Sequence, residues 1–310
     1  MQFQAPPDWI AAARDRLNLH LADPTAAGTL PRALTDSLKH DLGLSDHQLI
    51  SALLPLAREY ARPPLSAFRV GAVALGASGT IYFGANLEVP TALNQSVHAE
   101  QAAVANAFSH DDTGIDAIAV TAAPCGHCRQ FLNEIRGADR IDILVSGEPT
   151  RRLADLLPSS FGPADLGMQG GLFSGSGDPG TGSRKRGTGS REPGAGNGEE
   201  EPDPLIAAAM AGAVRSYAPH SKARSGCAVA LKDGSVISGS YLENAAFNPS
   251  LGPLHAVLVG MSMRRRPYDA IARVVLVEEP GASISQLETA QMVLNAFTLP
   301  VKVERVTRRL

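Results

Sequence analysis

The chain has 310 residues, about twice a typical domain, with 28 Lys+Arg against 31 Asp+Glu and a formal net charge of −3. Its residues are 44% hydrophobic but only 5% aromatic, so Ala, Val, Leu and Ile supply the apolar volume, enough for more than one core. Three cysteines argue against a disulfide-stapled secreted scaffold, near-neutral charge argues against a nucleic-acid partner, and no apolar run reaches the roughly 18 residues of a membrane helix.

The opening Met1-Gln2-Phe3-Gln4-Ala5-Pro6-Pro7 lacks the basic and apolar regions of a leader. A cytoplasmic protein is therefore expected, with no membrane and no nucleic-acid partner. Residues 1–45, rich in Ala, Leu and Asp, read as a small N-terminal helical segment. Ser45 and Gln48 offer a capping box, and Leu49, Leu53, Leu54 and Leu56 carry an apolar face that predicts one helix to about Tyr60. The period then changes. Residues 70–75 and 80–83 are strand candidates around the turn Ala77-Ser78-Gly79. A helix over 97–108, a strand over 117–121, a helix over 125–135 and a strand over 141–145 follow. Strands alternating with helices predict a layered α/β domain over 46–168, and the opening hairpin makes its sheet mixed.

Between 169 and 204 Gly, Ser, Pro, Glu and Arg dominate. Such a stretch cannot bury enough apolar surface to offset its ordering entropy, so a flexible linker is expected. Arg184-Lys185-Arg186 reads there as solvated charge. From 205 to 310 the first unit recurs. Tyr217-Ala218-Pro219-His220-Ser221 echoes Tyr60-Ala61-Arg62-Pro63-Pro64-Leu65-Ser66, and Gly84 and Glu88 return as Gly239 and Glu243, each 155 positions on. A strand over 274–277 and a helix opening at Ser285, with Glu288 completing a capping box, extend the echo.

The sharpest local signal is His98-Ala99-Glu100 followed by Pro124-Cys125-Gly126-His127-Cys128. A lone CxxC also suits a redox pair or half of a structural zinc knot. His98 upstream adds a third ligand, while the remaining cysteine, Cys227, lies in the other repeat and reads as a small core residue. Three ligands leave a zinc ion one open position for water, and Glu100 is placed to move protons beside it. In the second copy the matching helix start reads His255-Ala256-Val257 and the matching strand end Pro280-Gly281-Ala282-Ser283-Ile284, so carboxylate and thiols are gone. One live site per chain is expected, with one zinc.

H-x-E followed by P-C-x-x-C is the signature of zinc deaminases. With Phe68-Arg69-Val70-Gly71-Ala72, Gly84-Ala85-Asn86-Leu87-Glu88, Ser160-Phe161-Gly162-Pro163 and Asn244-Ala245-Ala246-Phe247-Asn248-Pro249, the chain resembles the long, homodimeric cytidine deaminases. The resemblance implies a duplicated three-layer α/β/α cytidine-deaminase-like fold whose second copy is non-catalytic. It implies hydrolysis of cytidine and 2′-deoxycytidine to the uridines and ammonia, in pyrimidine salvage. It also implies that His98, Cys125 and Cys128 bind zinc, that Glu100 is the catalytic acid and base, and that Asn86 and Glu88 hold the ribose. Phe68 would pack on the base, Ala99 and the Ala123 carbonyl would line the pocket, and Phe161 would stack from the partner subunit of a homodimer. Ala123 stands where some relatives carry Thr, which leaves the backbone carbonyl in place.

Overall fold

The computed structural model describes residues 7–174 and 203–310. Helices α1 (Pro7–Ala22) and α2 (Arg32–Leu42) bracket β1 (Thr29–Leu30), which pairs antiparallel with Tyr82 and Ile81 of the sheet that follows. The N-terminal segment is thus helical, as expected, but also supplies an edge strand. Two residues give no periodic signal, which is why β1 is invisible in the sequence. The Ser45–Gln48 capping box is present. The single helix expected after it is divided into α3 (Asp46–Ala52) and α4 (Leu54–Arg58). Pro55 explains the break, because it has no N–H to continue the ladder yet suits the first turn of a new helix.

Strands β2 (Gly71–Gly76) and β3 (Ile81–Ala85) form the expected hairpin. Then come α5 (Ala99–Ser109), β4 (Ile115–Val120), α6 (Gly126–Leu132), β5 (Asp142–Val145), β6 (Arg151–Arg152) and α7 (Leu153–Leu156). The six strands run in the order β1-β3-β2-β4-β5-β6, with β4 and β5 parallel and the other pairs antiparallel. Every residue of β2 and β3 is buried, as continuous apolar strands covered on both faces must be. Two glycines show how closely the layers approach. A Cβ at Gly84 would stand 2.2 Å from Ala103 N of α5, and one at Gly71 would stand 2.5 Å from Arg58 N of α4. Gly84 pairs with Ala72 and Gly71 with Ala85, so the two glycines point to opposite faces. That makes three layers.

Leu172 and Phe173 fall within the expected linker but are buried, and Leu172 bridges to Ile135. Residues 175–202 of that stretch lie outside the described residues. The second unit opens with α8 (Pro204–Arg215), capped by the Asp203 side chain. It continues through β7 (Ser225–Leu231), β8 (Val236–Ser240), α9 (Pro253–Met263), β9 (Ile271–Glu278), α10 (Leu287–Ala296) and β10 (Val303–Thr307). Its sheet is ordered β10-β9-β7-β8, again mixed, with β9 and β10 parallel. Gly226 and Gly239 repeat the close approaches of Gly71 and Gly84, against α8 and α9. Cys227 is wholly buried between Gly239 and Leu276, a core residue as its sequence position suggested.

The capping box expected at Ser285 is not formed. Glu278 at the end of β9 accepts from Gln286 N (2.6 Å) and from the Ser285 hydroxyl (3.0 Å), so α10 begins after Gln286 and Glu288 is left exposed. The two units pack through α5 and α9. Gln101 of α5 donates to the Pro249 carbonyl (3.1 Å), and His255 of α9 reaches the Gln95 backbone in return. Reciprocal contacts of this kind are what a two-fold pairing of like units produces.

Candidate active site

Two helix starts build the site. His98 is the N-cap of α5 and Cys125 the N-cap of α6, with Cys128 one turn further on. The backbone is extended at both caps, which turns each side chain off the end of its helix toward the other. His98 Nδ1 lies 3.4 Å from Cys125 Sγ and 3.2 Å from Cys128 Sγ, and the two sulfurs are 3.6 Å apart. A tetrahedral ion with sulfurs at about 2.3 Å and a nitrogen at about 2.0 Å sets the sulfurs near 3.8 Å apart and each about 3.5 Å from the nitrogen. The observed triangle fits zinc. Among the described residues it is also the one His/Cys/Asp/Glu cluster with such spacing.

The local electrostatics suit a thiolate site. A hydrogen bond with Cys128, supported by backbone N–H groups of α6 and by His98, holds the Cys125 thiol down to about 4. Cys128 is pushed up by that same pairing and by burial, so without metal the two share one proton. Glu100 is only 4% exposed, and burial raises its carboxyl above the usual range despite its own backbone N–H and the Cys128 thiol. A carboxyl raised by burial at a metal's edge is suited to carry a proton.

Beside this cluster lies a cavity of about 310 Å³. It is lined by His98, Ala99, Glu100 and Cys125 of the metal cluster, by Ala122 and Ala123, and by Phe68, Asn86 and Glu88. Phe68 is 60% exposed, an aromatic face awaiting a partner. Asn86 Oδ1 accepts from Val70 N (2.9 Å) while its Nδ2 donates to the Phe68 carbonyl (2.9 Å), which fixes the loop that presents Phe68. Glu88 accepts from Leu65 N (2.8 Å), Ser66 N (3.1 Å) and the Ser66 hydroxyl (2.5 Å). Burial works against its charge, but these donors together hold its carboxyl below the usual value.

Of the site residues, Cys128, wholly buried, and Phe161 do not line this cavity. Phe161 is 45% exposed, and its carbonyl accepts from Gln130 Nε2 (2.8 Å) and Asn133 Nδ2 (2.9 Å). The sequence reading missed Ser66, although its echo in Ser221 marks it, and Arg129. Arg129 donates from Nε to the Pro124 carbonyl and from Nη1 to the Leu156 carbonyl, both at 2.9 Å, and so fixes the turn ahead of Cys125.

A family model of the cytidine and deoxycytidylate deaminase zinc-binding region matches residues 44–144, and a second such model matches residues 153–291. The chain is 40% identical over 284 residues to a cytidine deaminase of Vibrio atlanticus (strain LGP32), covering 91% of this chain and 90% of that one. It is 40% identical over 278 residues to a cytidine deaminase of Aliivibrio fischeri (strain ATCC 700601 / ES114), covering 89% and 88%. The chain belongs to the cytidine deaminase family. A crystal structure of cytidine deaminase from Mycobacterium tuberculosis covers 38% of this chain and 99% of its own, at 33% identity and a TM-score of 0.35.

The cofactor of this cytidine deaminase chain is zinc, as both the matched zinc-binding regions and the His98/Cys125/Cys128 triangle require. The second copy has lost the ligands, though not at the positions expected from sequence. Gly84 contacts Ala99 and Ala103 while Gly239 contacts Pro253 and Val257, so His98 corresponds to Gly252, Glu100 to Leu254 and Gln101 to His255. The bridges Leu87–Val97 and Leu242–Leu251 give the same register. A Cβ at Gly252 would come 3.4 Å from Gln286 Oε1, as His98 meets Cys125, so Gln286 and Thr289 stand where the first copy has its thiols.

Proposed function

We infer that the chain catalyses zinc-dependent hydrolytic deamination of cytidine and 2′-deoxycytidine to the uridines, with release of ammonia, the usual role of which is pyrimidine salvage. The observation that carries this reading is the buried Glu100 carboxyl beside a three-ligand zinc triangle, two of whose ligands line a nucleoside-sized cavity. When bound, the zinc acts as a Lewis acid that makes a water molecule acidic at neutral pH.

His98, Cys125 and Cys128 hold the ion, and three protein ligands rather than four suit a catalytic site. Glu100 takes the water proton, delivers it to N3 of the pyrimidine as the oxygen bonds to C4, and then carries the proton of the new C4 hydroxyl to the departing 4-amino group, so that C4 becomes a carbonyl. The C4–N bond breaks and ammonia leaves. Phe68 packs on the base, Ala99 and the Ala123 carbonyl line its edge, and Asn86 and Glu88 hydrogen-bond the ribose. Because Glu88 is already ionised and fixed by Ser66, it accepts from a sugar hydroxyl without first being reorganised.

The assembly proposed is a homodimer. Phe161, exposed and outside its own chain's cavity, would then complete the pocket of the partner subunit. Three free cysteines suit a cytoplasmic location, and no helix among the described residues is long and apolar enough to cross a membrane. A product assay with cytidine, 2′-deoxycytidine, cytosine and single-stranded DNA tests the substrate class. Turnover of both nucleosides is expected, and turnover of the strand alone would refute it.

A further inference from the structure

A second cavity, of about 170 Å³, lies between the two units. Ser96 and Gln101 line it from the first, and Ser250, His255, Gln286 and Thr289 from the second. It therefore occupies the place in the second copy where the metal ligands have been lost. Its walls are amides, hydroxyls and imidazoles, with no Lys, Arg, Asp or Glu among the described lining residues. A charged ligand would find no counter-ion there, whereas a neutral one with many hydrogen-bonding atoms would. Size narrows the class further. An engineered cavity of about 150 Å³ holds one benzene molecule, so this one has room for a single six-membered ring.

One wall group lacks its partner. His255 is 5% exposed, and its Nδ1 is buried with no hydrogen bond, while the Gln95 backbone lies against the same ring. A neutral imidazole protonated at Nε2 leaves Nδ1 as an acceptor, and here Nδ1 has no donor. Gln286 Oε1 flanks the same space above Gly252, where the first copy carries His98. A fitting ligand must present an N–H there and a carbonyl to the neighbouring amide and hydroxyl groups. We infer that this cavity is a second, non-catalytic site for a free uracil-type base, a neutral ring that offers N–H and C=O side by side.

Gln101 is adjacent to Glu100 on α5, and His127, between the two zinc cysteines, also lines the cavity. An occupant would thus touch both helices that carry the catalytic centre. Binding itself does not depend on the deaminase reading, because it is read without turnover. A ligand-observed NMR titration of the full-length zinc-loaded protein with uracil tests it, alongside 1,3-dimethyluracil, which keeps the ring but has no N–H.

The expected result is saturable uracil binding, none by 1,3-dimethyluracil, and roughly tenfold or greater weakening in both His255→Gln and Gln286→Met. Glutamine is what the first copy carries at the position of His255, and neither substitution touches the catalytic cavity, so KM for cytidine should not change. Should His255→Gln fail to fold, Gln286→Met at the partly exposed wall carries the test. The inference is overturned if uracil does not saturate, if 1,3-dimethyluracil binds equally, or if the folded variants bind uracil as the parent does.

Discussion

Glu134 offers the most direct way to perturb the joint between the two units. Its carboxylate is 1% exposed and accepts from three groups of the second unit: Tyr217 OH (2.7 Å), Ala245 N (2.7 Å) and His220 Nε2 (3.1 Å). Glu134→Ala removes all three acceptor contacts and leaves their donors buried. Each stranded donor costs about 1–3 kcal/mol, so the three together set a range of about 3–9 kcal/mol. The loss falls at the low end of that range, about 3–5 kcal/mol, because part of it is recovered when water enters the space left. Glu134→Gln keeps the shape and one carbonyl acceptor, so about half that loss is expected. Urea unfolding followed by circular dichroism reads both variants, with the alanine midpoint well below the glutamine midpoint. A loss under about 1 kcal/mol for Glu134→Ala would refute the view that this cluster ties the units together.

Phe68→Ala should raise KM for cytidine roughly tenfold to a hundredfold with a smaller effect on kcat, since it removes a stacking face. The ring is 60% exposed, so the melting temperature should stay within about a degree of the parent. Burial lowers His255 to about 4 from an ordinary 6.5, so the unfolded chain protonates first as pH falls. Stability is therefore full above about pH 6.5, declines by about 1.4 kcal/mol per pH unit, and levels near pH 4 after losing about 3 kcal/mol. Denaturation midpoints for the parent and His255→Gln across that range check it, and the variant's slope should be the shallower. Chelation should abolish turnover and expose Cys125, and then Cys128, to a thiol reagent in the folded protein. Cys227, wholly buried and with its thiol pushed up by burial, should react only on unfolding.

The zinc cluster was legible because its ligands sit at helix starts, and a helix start is a local property of sequence. His98-x-Glu100 and Cys125-x-x-Cys128 announce both their geometry and their chemistry. The Ser45 capping box was legible for the same reason. What escaped depends on distant partners. At Ser285 the local pattern predicts a box, but Glu278, fixed by its strand, takes the Gln286 N–H instead. The register of the second copy slipped because its loop from Glu243 to Leu251 is one residue shorter than that from Glu88 to Val97. Sequence alone therefore matched His255 with His98. That Phe161 would serve a partner's pocket came from the family resemblance, since no local pattern carries it, and the residue stands outside its own cavity.

The central claim is that Glu100 moves the protons while His98, Cys125 and Cys128 hold the zinc. Glu100→Gln keeps the size and burial of the side chain but removes the titrating group. Zinc content by atomic spectroscopy, measured on the same sample as cytidine turnover, tests the claim most directly. About one zinc per chain is expected, as in the parent, with kcat reduced by at least about a thousandfold. Undiminished turnover at full zinc occupancy would contradict it.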